Sequence, residues 1–130
     1  MRLLFNPIKS NIMKVLFVQE QTFLATALKL TLLTKGYDLV VSDDTQLPST
    51  FIDMHNPNIV IADISKRSGL IYVEEAKRKN VPVIVISKNG AEDELQKAFD
   101  KGADDYISMP LSITELALRV SILTKTRAVA

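Results

Sequence analysis

The side chains of this sequence that could do chemistry follow its apolar runs. Asp63 directly follows the apolar run 59–62, and Gln19-Glu20 and Ser87 follow two other such runs. Short runs rich in β-branched residues and bounded by breakers are typical of strands that are buried on both faces. Open parallel sheets bind their ligands at the carboxyl ends of such strands. The sequence therefore predicts a polar ligand site at Asp63, although an acid that only caps the following loop would give the same pattern.

Several other kinds of site are excluded by composition. His55 is the one histidine and cysteine is absent, so neither a histidine metal cluster, a catalytic triad nor a thiolate site can be assembled. The segment after the first apolar run, 19–22, has no glycine, which argues against a nucleotide or flavin site. Sixteen basic and 15 acidic residues give a net charge of +1. This balance gives no electrostatic reason to expect nucleic acid or an anionic membrane as partner. The absence of cysteine fits a cytoplasmic location.

Strand-like and helix-like segments alternate regularly from Met13 onward. The pattern predicts strands at 15–18, 37–41, 59–63, 83–86 and 105–108, and helices at 22–35, 47–55, 69–79, 91–101 and 112–123. Five strands that are each followed by a helix predict an α/β fold with right-handed crossovers. The natural solution is a flavodoxin-like, doubly wound parallel sheet of order 2-1-3-4-5 with five helices. In that sheet Gln19, Glu20 and Asp63 would meet, with Ser87 and Met109 at the neighbouring strand ends.

The length of 130 residues is that of one domain. We expect the domain to cover residues 13–126, with an N-terminal extension at 1–12 and a short tail at 127–130. The extension could be disordered, or its apolar residues 3–5 could pack on the sheet edge or on a partner chain.

From Met13 to about Thr126 the chain resembles the CheY-like receiver domain of two-component response regulators. The matching segments are the strand that ends at Gln19-Glu20, the strand Pro57–Asp63, the strand Val83–Ser87 and the segment Gly102–Pro110. The resemblance implies a phosphoprotein of phosphorelay signalling that is not an enzyme, with a histidine kinase or another signalling protein as partner. It also implies a cis peptide bond at Met109–Pro110.

The resemblance assigns a role to each candidate residue. Asp63 would be the phosphoacceptor, Ser87 the hydroxyl that binds the phosphoryl group, and Tyr106 the switch aromatic. Glu20 and Asp63 would hold Mg²⁺, which prefers oxygen ligands. Gln19 replaces the second acid of the family, so we expect only a weak Mg²⁺ site.

The position before the family's proline is also changed. Met109 stands where the family has a lysine, and a thioether can neither donate a hydrogen bond nor offset phosphoryl charge. Lys66 or Lys88 could act as a substitute cation, although lysines in surface loops are usually only solvated.

Three functions remain open at this point. The first is an atypical receiver that acts as a protein-interaction module, with weak or absent phosphorylation at Asp63. The second is a working phosphoacceptor that is switched by a histidine kinase, and the third is a small-molecule binder on the same fold. A homodimer through residues 91–123 would suit the first two if apolar side chains such as Ile107 or Leu118 are exposed there. We expect this chain to bind neither nucleic acid nor a membrane.

Overall fold

The centre of the protein is a parallel sheet, seen in a computed structural model that describes residues 12–18, 22–42, 44–88 and 90–129. The described strands are β1 (Met13–Val18), β2 (Tyr37–Val41), β3 (Ile59–Asp63), β4 (Val83–Ser87) and β5 (Asp105–Ser108). Their order across the sheet is β2-β1-β3-β4-β5. The predicted flavodoxin-like order is therefore confirmed.

The strand register brings Asp63 and Ser87 to one edge of the sheet. Val18 of β1 lies opposite Ala62 of β3, and Asp63 lies opposite Ile86 of β4. Because Ser87 is the next residue on β4, its position is adjacent to that of Asp63 at the carboxyl ends of two neighbouring strands. This edge is where open parallel sheets bind ligands.

Helices follow the strands as predicted, with small differences at their ends. The described helices are α1 (Thr22–Leu33), α2 (Pro48–His55), α3 (Arg67–Arg78), α4 (Glu92–Asp100) and α5 (Ile113–Val129). α3 begins two residues before the predicted start at Gly69, and α5 continues past the predicted end at Leu123 into the residues assigned to a tail. Among the described residues, no helix combines the length and the apolar character that crossing a membrane requires.

Two apolar layers cover the two faces of the sheet. Alternate residues of the central strands point to opposite sides, and residues 15–18, 59–62 and 83–87 of these strands are all buried. One layer contains Phe17, Ile61 and Ile86 together with residues of α1 and α5. The other contains Val18, Ala62 and residues of α2, α3 and α4. Burial on both faces is the physical reason why the strands are continuous apolar runs.

The exposure of residues 91–123 only partly follows the expectation. Leu118 on α5 is 56% exposed, as expected for a contact surface. Ile107 is only 5% exposed, so the expectation that it is a surface residue is wrong. Side chains alternate along a strand, and Ile107 is on the face of β5 that packs into the α1 and α5 layer.

Candidate functional site

Asp63 closes its own loop by hydrogen bonding. Its Oδ1 accepts one hydrogen bond from the Ser65 backbone N–H at 2.9 Å and one from the Ser65 hydroxyl at 2.6 Å. This is the local turn by which an aspartate organises the residues that follow it. The loop-capping role is therefore present, and the half-buried carboxylate also lies at the ligand-binding edge of the sheet.

The loop after Asp63 is short, because β3 ends at Asp63 and α3 already begins at Arg67. The Lys66 N–H donates to the Asp63 carbonyl at 3.2 Å, and the Gly69 N–H donates to the Lys66 carbonyl at 3.1 Å. A Cβ atom on Gly69 would lie 2.2 Å from the Asp63 carbonyl oxygen, which no side chain can tolerate. Glycine is thus required for α3 to pack against the backbone of Asp63, and this contact fixes the position of the acid.

Ser87 lies at the same edge and is almost fully buried. Its exposed fraction is 2%, and its carbonyl accepts a hydrogen bond from the Met109 N–H at 2.8 Å. It also lines a cavity of about 230 Å³ together with Lys88, Leu95, Tyr106 and Ser108. The structure therefore brings Asp63, Ser87 and the Met109 backbone to one edge, as the sequence predicts.

Met109 uses its side chain for packing. The thioether lies against the apolar layer that contains Phe17, Ile86 and Ile107 and is partly buried there. A flexible apolar side chain fills an irregular gap of this kind well. The predicted cis peptide bond between Met109 and Pro110 is confirmed.

The two lysines considered as substitute cations have different surroundings. The Lys66 ammonium is 2.9 Å from Asp44 Oδ2, and its side chain is only 15% exposed. Asp44 adopts a left-handed backbone conformation, with φ of 61°, in the loop after β2. Lys88 is exposed and lines a cavity of about 260 Å³ with Ser65 and Glu94. Lys66 would therefore have to leave or share Asp44 to neutralise another anion.

The predicted Mg²⁺ site combines Glu20 with Asp63. Gln19 and Glu20 lie outside the described residues. In the described part, no group of three or more histidine or acidic side chains could hold a metal ion. Asp63 supplies one carboxylate, and two hydrogen bonds already engage its Oδ1. Asp63 would supply one of the one or two carboxylates that Mg²⁺ typically takes besides water and phosphate oxygens.

Tyr106 lies on β5 at the outer end of this site. Its side chain is 42% exposed, and its ring meets Phe99 of α4 edge-on, with 6.0 Å between the ring centroids. Tyr106 also lines the cavity beside Ser87, together with Glu92 and Leu95 of α4. The contact with Phe99 is of the kind that stabilises an aromatic pair by about 0.5–1.5 kcal/mol.

One ion pair near β5 was not found from the sequence. Arg119 Nη1 donates to both carboxylate oxygens of Asp105, at 2.7 and 2.9 Å, and Nη2 donates to Glu115 at 3.0 Å. Hydrogen bonding to Asp105 and then to Glu115 raises the pKa of Arg119. The Glu115–Arg119 spacing is a visible helical signal. The Asp105 contact depends on the packing of α5 against β5, which no local pattern reports.

Known proteins share both the sequence pattern and the fold. A model of the response regulator receiver domain matches residues 15–121. The transcriptional regulatory protein KdpE of Staphylococcus aureus is 24% identical over 115 residues, which are 86% of this chain and 50% of that protein. The chain thus spans about half the length of this curated relative.

Two solved structures have the same fold. The Francisella response regulator 1452 receiver domain is 27% identical, with a TM-score of 0.74 and coverage of 88% of this chain and 98% of that chain. HP1043, an orphan response regulator of H. pylori, is 29% identical, with a TM-score of 0.74 and coverage of 85% and 94%. With the matching family model and the sheet order given above, the chain belongs to the response regulator receiver domains of two-component signalling.

Proposed function

We propose that this receiver domain acts by binding other proteins and that Asp63 is phosphorylated weakly or not at all. The observation that carries the proposal is the packing of Met109 against the apolar layer, at the position that the resemblance assigns to a lysine. A thioether there cannot take up the charge of a transferring phosphoryl group. Removing one such charge-stabilising donor typically slows a reaction by about 10²–10³, or about 2.7–4 kcal/mol.

The second part of the proposal is that this site binds Mg²⁺ weakly. Receiver domains bind Mg²⁺ at the phosphorylation site. Here its ligands would be Asp63 and Glu20, and Gln19 contributes no charge. Phosphoryl transfer depends on positioned cations, so a weak metal site and a missing lysine act in the same direction.

The proposal also assigns roles to the other site residues for the case in which a phosphoryl group is transferred. Asp63 would be the nucleophile, and the Ser87 hydroxyl would donate a hydrogen bond to a phosphoryl oxygen. Tyr106 is the switch aromatic, supported by its place beside the cavity that Ser87 lines. The adjacent positions of Asp63 and Ser87 on β3 and β4 favour a second candidate function, a receiver that a histidine kinase does phosphorylate.

The partners of the proposal are proteins. Receiver domains act with histidine kinases and other signalling proteins, and this chain is proposed to be a non-enzymatic, cytoplasmic member of such a system. Leu118 and Ile122 of α5 are 56% and 54% exposed and support a homodimer through residues 91–123. KdpE is a transcriptional regulatory protein, but we propose no nucleic-acid contact for this chain, whose net charge is +1. A small-molecule function at Ser87 has less support, because the cavities beside Ser65 and Ser87, of about 260 and 230 Å³, are below the roughly 300–1,000 Å³ of a typical ligand pocket.

A titration with Mg²⁺ and beryllofluoride, followed by amide NMR, tests the proposal. Beryllofluoride mimics the bound phosphoryl group, so one experiment reports on the metal and on the phosphoryl position. We expect only small shifts at Asp63, Ser87 and Tyr106, equal to those of the Asp63→Asn variant. Saturable shifts that the Asp63→Asn variant lacks would favour the working phosphoacceptor instead.

A further inference from the structure

Helix α1 has a second apolar face that the described residues leave uncovered. Its inner face, formed by Leu24, Ala25, Leu28 and Leu32, is buried against the sheet. On the opposite face, Phe23 is 86% exposed, Leu30 is 62% exposed and Leu33 is 50% exposed. Lys29 is the one charged residue of the helix. Helices that are apolar on all sides are normally buried on all sides, so the outer face indicates a contact with another protein surface.

The spacing of the outer face indicates what the contact is. Phe23, Thr26, Leu30 and Leu33 follow each other at intervals of three, four and three residues, which is the spacing of a coiled-coil seam. This series reads the same in both directions along the helix. If two copies of α1 run antiparallel, Phe23 of each copy therefore meets Leu33 of the other, and Thr26 of each meets Leu30 of the other. A self-complementary arrangement of this kind is that of a two-fold interface, in which each pair of residues occurs twice.

We propose that α1 pairs antiparallel with α1 of a second copy of this chain. The contact goes beyond the proposed function, since it uses neither Asp63 nor residues 91–123. A seam with three large apolar side chains per copy is well below the roughly 800 Å² per partner of a standard interface, so the dimer is weak. The two Lys29 side chains lie on the same flank of the antiparallel seam and repel each other. Added salt screens this repulsion and strengthens the dimer, whereas it weakens an interface held by ion pairs.

Sedimentation equilibrium over a concentration series, at low and high salt, tests the proposed dimer. We expect the unaltered chain to form a dimer as concentration rises, more readily in high salt. Leu30→Gln should weaken the association at least tenfold. Met54→Gln is the matched control, because Met54 on α2 is exposed to a similar degree, 58% against 62% for Leu30, and lies outside both α1 and residues 91–123, so the association should be unchanged. Both positions are exposed, so neither variant should unfold, and thermal melts would verify this.

A cysteine probe tests the geometry separately. The chain has no cysteine of its own, so Lys29→Cys introduces the sole thiol. We expect this variant to form a disulfide-linked dimer under mild oxidation, whereas Lys77→Cys, at an exposed position of α3 outside both α1 and residues 91–123, should not. A monomer at every concentration and salt would overturn the proposal. So would a dimer that Leu118→Gln disrupts and Leu30→Gln does not, or equal cross-linking of the two cysteine variants.

Discussion

The double substitution Gln19→Asp, Met109→Lys restores to the site the acid and the cation that this sequence lacks. The two charge changes cancel, so the net charge stays at +1. A lysine at 109 keeps an apolar stem along the layer that now holds the thioether, and its ammonium can reach towards solvent at the sheet edge. We therefore expect a stability loss of only about 1 kcal/mol. Phosphoryl transfer should gain the roughly 10²–10³ in rate that one restored donor provides.

The assay for this prediction is intact-protein mass spectrometry after incubation with acetyl phosphate and Mg²⁺. Gln19→Asp, Met54→Lys is the matched control, because it makes the same charge changes but places the lysine at an exposed residue of α2. Adding Asp63→Asn to the active variant should abolish the modification. If the double variant is modified no faster than the Met54→Lys control, the lack of a cation at position 109 is not what limits the site.

Three further predictions concern the contacts that hold the site and its surroundings. Gly69→Ala should destabilise the fold by more than about 2 kcal/mol in urea unfolding, because its Cβ would lie 2.2 Å from the Asp63 carbonyl oxygen. The control Thr50→Ala, at an exposed position of α2, should cost far less. Tyr72→Phe should cost about 1–2 kcal/mol, since the buried Tyr72 hydroxyl is 2.8 Å from the Ser42 hydroxyl and its loss leaves that group without this partner; an unchanged unfolding midpoint would refute it. Arg119→Gln should cost about 0.3–1 kcal/mol, against almost nothing for Arg78→Gln, whose side chain is 72% exposed. Because the pKa of Arg119 is raised, its stabilisation is fully present below the ordinary arginine pKa and should not fade in mildly alkaline buffer; a decline there would contradict the assignment.

The sheet and part of the site could be predicted because they depend on local pattern. Apolar runs buried on both faces indicate where the strands lie, and the alternation of five strands with helices predicts the flavodoxin-like order that places Asp63 beside Ser87. The sequence contains the short spacing between Asp63 and Gly69 but does not indicate why it is short. The reason is a close contact between α3 and the backbone of Asp63, and the single glycine is the only sequence feature that this contact requires. For the same reason the start of α3 was predicted two residues late.

Contacts between distant segments could not be predicted in this way. The pairing of Lys66 with Asp44 joins two loops and depends on the left-handed backbone of Asp44. The pairing of Arg119 with Asp105 depends on how α5 lies against β5. Ile107 was placed on the surface because a short edge strand gives no signal of which face a helix covers. Resemblance identified position 109, but only the structure indicates that its side chain packs into the core.

Phosphorylation of the unaltered protein by acetyl phosphate, with millimolar-scale Mg²⁺ and intact-mass detection, decides whether Asp63 is a working phosphoacceptor. We expect little or no added phosphoryl group, and no difference between the unaltered protein and Asp63→Asn. Robust modification that Asp63→Asn abolishes would contradict it. Such a result would mean that another group, with Lys66 released from Asp44 as the first to examine, has taken over the role that Met109 cannot fill.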